Sequence, residues 1–316
     1  MLIIAAKTGQ LGNRLILSSH VFGFASAHGL RAANPAFGEY ARYFQGPSGD
    51  ALCRWPGQTS LLHGAKCNSF IFFWISWFCR ICNRLGLRRN RFWAIVDWHD
   101  DFEFDMRDLK FVELAKKTPL VFLRAFRFRD YENSLRHGSA IYRYFAPSAE
   151  IERKAEAIHA RARQEADIVI GLHVRRGDYR EFMGGKYFFE WSDYAAFARS
   201  ISDLFPNRRV RFIVCSNEKP QLNAFAALDV VEGPGDMVAD MQCLAKCDYV
   251  AGPPSTFSSW ASETGNVPLH FFKSAGETPA LSDFKVFPWE WSGKTVDPRS
   301  EFSNEISAAL IEGRQE

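Results

Sequence analysis

The stretch Ile168-Val-Ile-Gly-Leu-His-Val-Arg-Arg-Gly-Asp-Tyr179 constrains this chain more than any other. Its first half is apolar and β-branched without alternation, the pattern of a parallel strand buried on both faces, and it is too short for a buried helix. Such a strand needs parallel neighbours and helices over both of its faces, so it demands an α/β sheet. Directly after it come His173, Arg175, Arg176 and Asp178. An open α/β sheet places its ligand there, outside the carboxyl ends of the strands. Two arginines at a strand end suggest an anion, although adjacent arginines also occur as a solvated surface pair and a single histidine as a packed residue.

Downstream the pattern alternates. Residues 192–204 read as helix, 210–215 as strand, 220–228 as helix, 230–231 as a very short strand, 237–246 as helix, 249–251 as strand, 255–263 as helix and 269–272 as strand. Strands alternating with short helices predict a parallel sheet covered on both faces. The amino terminus opens in the same way, with a strand over 2–6, a glycine turn over 7–14 and a helix over 15–27. That turn is not a P-loop, because Gly9 and Gly12 are too close and no Lys-Ser/Thr follows. Its glycines let backbone approach a ligand, and the helix start offers N–H groups to an anion, though two glycines after a strand also make a plain tight turn. Further strands are expected over 92–101 and 119–127, with irregular loops over 31–68. Ser148 caps a helix to about Gln164 that carries the chain between two domains, placed at 1–150 and 151–316.

A chain of 316 residues, 47% hydrophobic and 24% charged, has material for two such domains. Its 39 basic and 36 acidic side chains leave a formal charge of +3, which argues against nucleic acid as the main ligand. Seven dispersed cysteines form no disulfide framework, and Cys79-Arg-Ile-Cys82 lacks a second pair at zinc spacing. These features, with no visible signal peptide, suit a reducing, cytoplasmic setting. Phe70–Cys82 is strongly aromatic, but Arg80 interrupts it at a length that suits a buried or interfacial helix better than a membrane span. Arginines follow it. A core helix with a solvated end is the first reading, and docking on the inner face of an anionic membrane is the second.

The second informative stretch is Gly252-Pro-Pro-Ser-Thr-Phe-Ser-Ser-Trp260. The prolines forbid a helix before Ser255, which is a good N-cap, and the helix that follows would point the N–H groups of Thr256 and Phe257 out of the sheet's carboxyl edge. That end is a phosphate seat, to which the Ser255 and Thr256 hydroxyls and Arg175 could contribute. The same pattern also describes a capped helix with no ligand.

Three motifs now stand in one order along the chain. His173-Val-Arg-Arg-Gly-Asp178-Tyr resembles the His-x-Arg-Arg-x-Asp motif of the α-1,2- and α-1,6-fucosyltransferases and, more loosely, of the protein O-fucosyltransferases. Gly9-Gln-Leu-Gly12-Asn13 is similar to the turn that opens the α-1,2 and protein O-fucosyl enzymes, and Asp240 with Thr256-Phe257 resembles their nucleotide-domain pair. The resemblance implies an α/β, GT-B-like fold, two Rossmann-like domains facing across a cleft, with GDP-fucose held mainly by the C-terminal one. It also implies inverting transfer to a glycan acceptor, with no metal and no other cofactor. No Asp-x-Asp cluster lies near these strand ends.

Carried over residue by residue, Arg175 would bind the β-phosphate and stabilise departing GDP, and Arg176 would support it or hold the loop. Asp240 would accept from guanine, while Ser255, Thr256, Phe257 and His173 would contact the nucleotide. Gly12 would let backbone approach, and Asn13 would reach the sugar or acceptor. Asp178 and Glu181 are the candidate bases. The α-1,6 enzymes' base sits five residues past the motif's Asp, where this chain has Met183. Other readings keep the fold with another nucleotide sugar, or make the chain a glycan- or nucleotide-sugar-binding protein without turnover. The sequence sets neither acceptor, linkage nor oligomeric state.

Overall fold

In the computed structural model, which describes residues 1–98 and 102–286, the run that begins at Ile168 is a strand, Ile168–Val174, at the centre of a five-stranded sheet. The order is Val230–Glu232, Val210–Ser216, Ile168–Val174, Tyr249–Gly252, Leu269–Phe271, and every pairing is parallel. From Ile168–Val174 the chain builds outward to one edge, then returns to the other side of the same strand. The carboxyl ends of Ile168–Val174 and Tyr249–Gly252 therefore flank the point where strand order reverses, the position at which open α/β sheets hold ligands.

Burial on both faces explains the missing alternation in this strand. Ile170, Leu172 and Val174 pack into a cluster with Tyr194, Phe197, Phe212 and Phe272, all of them buried. Phe197 and Phe272 stack with centroids 3.7 Å apart. Each such side chain contributes about 1.5–3 kcal/mol by leaving water, more than the single cap at the start of helix Trp191–Ser202 supplies. Packing, more than capping, therefore seats that helix.

At its end the Tyr249–Gly252 strand passes against the central one. A Cβ on Gly252 would lie 2.7 Å from the His173 carbonyl oxygen, so only glycine lets the two strand ends meet.

A second compact unit holds residues 1–146, and the first-described sheet belongs to residues 147–286. The amino-terminal unit has its own sheet, Arg54–Trp55, Ala32–Ala33, Leu2–Ile4, Leu120–Arg124, Trp93–Asp97, parallel except at the Arg54–Trp55 edge. Helix Leu11–Ala27 is buried almost all round, the state expected of an apolar helix inside a fold.

Several expectations are corrected. The first helix starts at Leu11, not Leu15, because Gly9 with φ +59° completes the turn alone and Gly12 and Asn13 are already helical. Residues 220–228 form only the 3-10 turn Leu222–Phe225. Their apolar spacing, Leu222, Phe225, Leu228, is the three-residue period of that tighter helix. The expected strand over 92–101 is Trp93–Asp97, and residues 99–101 lie outside the described residues, as do 287–316 of the expected second domain.

Phe70–Cys82 lies within helix Ala65–Arg84 and is not a core helix. It buries Asn68, Cys79 and Cys82 and leaves Phe70, Phe73, Trp74 and Trp77 exposed. A helix has one inward stripe; here Phe78 shares it with the two cysteines, and those four aromatic residues fall outside it.

Gly252→Ala should lower stability by about 1–3 kcal/mol, since the added methyl meets fixed backbone. Urea unfolding checks this, and an unchanged midpoint would contradict the close approach.

Candidate active site

The two arginines after the central strand have different surroundings. The backbone of Arg175 is held at both polar atoms by one side chain: its N–H donates to the Tyr194 hydroxyl at 3.1 Å, and that hydroxyl donates to its carbonyl at 3.2 Å. Tyr194 is fully buried on helix Trp191–Ser202, so the strand end is pinned from beneath. The Arg175 guanidinium lies over the Tyr179 ring, and its Nε and Nη2 donate to the two oxygens of Asp178 at 2.8 and 2.7 Å. This bidentate pair fixes the plane of the fork.

Arg176 is buried and bound on every side. Its N–H donates to Asn217 Oδ1 at 3.0 Å, its Nε to Glu218 at 2.9 Å, and its Nη1 to the Phe189 carbonyl at 2.7 Å and Glu190 at 2.8 Å. It is no solvated partner of Arg175. It ties the loop to two neighbouring segments.

The opposite wall is the turn from Gly252 to Ser255. The Ser255 hydroxyl accepts from the Phe257 N–H at 3.2 Å and caps helix Thr256–Gly265, as the two prolines and the serine predict. Tyr179 donates to the Pro254 carbonyl at 2.6 Å, which links the arginine loop to this turn. His173 stacks on Phe257 with centroids 4.9 Å apart. Burial, with the Arg175 charge adding to it, pushes its pKa down to about 3, so its ring is neutral at any working pH. Its Nδ1 is buried with no hydrogen-bond partner among the described residues, a polar atom that a ligand could satisfy.

Asp240 sits in helix Met237–Leu244, 5% exposed, with Oδ1 accepting from the Gly235 N–H at 2.9 Å. Burial raises its pKa to about 7, against the lowering effect of the Gly235 bond and with help from the charges of Asp236 and Glu232. A buried carboxyl that titrates near neutrality is a candidate for a functional group.

Of the candidate bases, Asp178 has both oxygens engaged by Arg175, while Glu181 is exposed at the end of the turn Gly177–Arg180. Met183, Gly184 and Gly185 follow with φ of +51°, +68° and +79°. Gly12 and Asn13 belong to the amino-terminal unit. There the turn is braced by Arg14, whose guanidinium donates to the Gly9 carbonyl at 3.2 Å and the Ala36 carbonyl at 2.9 Å and pairs with Glu39.

Thus His173, Arg175, Arg176, Asp178, Ser255 and Phe257 are brought together, through contacts that include Tyr179, Tyr194 and Asn217, which sequence reasoning missed. Tyr179 lay inside the motif run, but nothing distinguishes Tyr194 from a core aromatic until the fold is known.

Residues 146–267 match the family model of glycosyl transferase family 11. A solved structure of an Arabidopsis thaliana FUT1 mutant in complex with GDP superposes with a TM-score of 0.59 at 14% identity, over 90% of this chain and 73% of that one. The fucosyltransferase NodZ from Bradyrhizobium superposes with a TM-score of 0.52 at 16% identity, over 87% and 96%. The fold is that of the GT-B-like fucosyltransferases. At these identities the likeness is one of fold. No curated protein sequence matches the chain.

Tyr194→Phe should keep the packed ring but leave the Arg175 N–H without its acceptor, at a cost of about 1–3 kcal/mol. Denaturant unfolding of the variant measures it; a wild-type midpoint would mean that the hydroxyl does not hold the strand end.

Proposed function

We propose that this protein is an inverting glycosyltransferase that moves fucose from GDP-fucose to a hydroxyl of a glycan, without a metal ion. The observation that carries the reading is Arg175 at the reversal point of the parallel sheet, its backbone held by Tyr194 and its guanidinium oriented by Asp178 over Tyr179, whose hydroxyl bonds the turn that leads into helix Thr256–Gly265. The family-model match and the fold of the fucosyltransferases support it.

In this reading the carboxyl-terminal unit holds the donor. As the bond from sugar to diphosphate breaks, positive charge grows on the sugar and negative charge on the leaving β-phosphate. A guanidinium already fixed in place, with the helix amino end near it, stabilises that charge without having to reorganise. Ser255 and Thr256 add phosphate contacts, and Phe257 keeps the His173 ring in place for the nucleotide. Arg176 holds the loop. Among the described residues no group of His, Cys, Asp or Glu side chains could hold a metal ion, and the proposed chemistry assigns the charge to Arg175.

The acceptor oxygen attacks from the face opposite the diphosphate, and its proton must leave. Asp178 is committed to aiming Arg175, which leaves Glu181 as the carboxylate to take that proton. In a strongly dissociative transfer a weak base suffices. Asn13 is assigned to the sugar or acceptor, and Gly12 to close backbone approach, by resemblance alone.

Asp240 is assigned to guanine, because a carboxylate accepts from both the ring N1–H and the exocyclic amine, whereas uracil presents a different edge. Guanine favours the charged carboxylate, so binding lowers the Asp240 pKa from about 7 and GDP binding should tighten as pH rises, levelling off above about 7. Calorimetry with EDTA present should show GDP bound well ahead of UDP. Asp240→Asn should lose about 1–3 kcal/mol and show a shallower pH dependence, the remaining slope coming from the phosphate. Equal binding of UDP, or parallel pH profiles, would refute the guanine assignment. Acceptor-dependent GDP release from GDP-fucose then tests transfer itself; donor binding without any release would leave a binding protein.

A further inference from the structure

Helix Ala65–Arg84 of the amino-terminal unit is fastened by a narrow stripe. Cys79 and Cys82, with Ile75 and Phe78 partly buried, pack on Ile3, Ile95 and Phe122 of the sheet. Among the described residues the other face is apolar and uncovered: Phe70 is 65% exposed, Phe73 59%, and Trp74 and Trp77 47% each. Their rings touch in a chain, with Trp74 at 6.2 Å from Phe70, 5.6 Å from Phe73 and 5.3 Å from Trp77. Rings of this size expose roughly several hundred Å² in one patch, as much as a soluble monomer usually shows and far more aromatic.

Charge decides what covers it. No acidic residue occurs between Asp50 and Asp97, whereas Lys66, Arg80 and Arg84 lie on the helix and Arg88, Arg89 and Arg91 follow it. All six are exposed, and among the described residues none of them forms an ion pair with a carboxylate. A chain with a formal charge of only +3 has thus gathered a basic strip around its most exposed aromatic face, with Glu113 of a neighbouring helix acting on Arg89 alone among the six. A second copy docking face to face would oppose the same arginines, which disfavours that partner. No helix of the described residues is long and apolar enough to cross a membrane.

We infer that this helix face docks on an anionic phospholipid surface, with Phe70, Phe73, Trp74 and Trp77 entering the boundary between headgroups and acyl chains and the flanking arginines on the phosphates. Aromatic rings favour that depth, and basic side chains nearby add attraction that salt screens. The inference rests on the surface alone and is independent of the sugar-transfer reading.

Sedimentation of the full chain with phosphatidylcholine vesicles, with and without phosphatidylglycerol, tests it. Binding should require phosphatidylglycerol, weaken as salt rises from about 0.1 M to about 1 M, and be accompanied by a blue shift of tryptophan emission. Arg80→Gln, Arg84→Gln and Arg88→Gln together should lower partitioning by about 100-fold, about fivefold for each charge. Phe73→Ser with Trp74→Ser and Trp77→Ser should abolish the interaction while circular dichroism and the urea midpoint confirm folding, these side chains being outside the packed stripe. Failure to bind phosphatidylglycerol vesicles, equal binding of the folded variants, or a dimer that the serine substitutions dissociate would overturn the inference. The last outcome would assign the face to a second copy.

Discussion

The clamp of the Tyr194 hydroxyl on both backbone polar atoms of Arg175 is the contact on which the rest of the site depends. Ladder pairing of the central strand ends at Val174, which leaves another group to hold the peptide groups of Arg175. Here a buried phenol does so, from a helix seated by aromatic packing against the same sheet. The guanidinium beyond it lies over Tyr179, and the bidentate pair with Asp178 sets its plane. Fixed direction matters because a donor that must reorganise during the reaction loses much of its value to the transition state.

Charge is divided between the two adjacent arginines. Arg176 bridges Glu190 and Glu218 and is consumed by structure. Arg175 stands at the reversal of strand order, near the amino end of a capped helix and a neutral histidine. Of two positive side chains in sequence, one is scaffold and the other is the group to which the proposed function assigns the phosphate. Asp240 adds the opposite device, a buried carboxyl whose charge is cheap to change near neutral pH. In the proposed function the phosphate meets fixed positive groups and the base an adjustable negative one.

What could be read in the sequence was local. The unalternating run at Ile168 defines a doubly covered strand without any neighbour being known, and the Pro253-Pro254-Ser255 turn fixes a helix start from backbone chemistry alone. The role of Tyr194 depends on where helix Trp191–Ser202 meets the strand end, which no spacing reveals. The start of the first helix at Leu11 turned on a single positive φ at Gly9. The aromatic run at Phe70 misled for a related reason: hydrophobicity suggested burial, while the helical period turned Cys79 and Cys82 inward and the tryptophans outward. The placement of Arg175 beside helix Thr256–Gly265 follows from strand order, a long-range property carried by no motif.

The central claim is that Arg175 acts on the transition state, and saturation kinetics of GDP-fucose transfer tests it most directly. An arginine that only held the donor would contribute equally to ground and transition states, and its loss would raise KM and spare kcat. With wild type, Arg175→Ala, Arg175→Lys and Arg176→Ala compared and folding checked by circular dichroism, Arg175→Ala should lower kcat by about 100-fold or more. Lysine should restore little, since a point charge does not reproduce the planar fork. A folded Arg175→Ala protein with near-normal kcat at saturating donor would contradict the account.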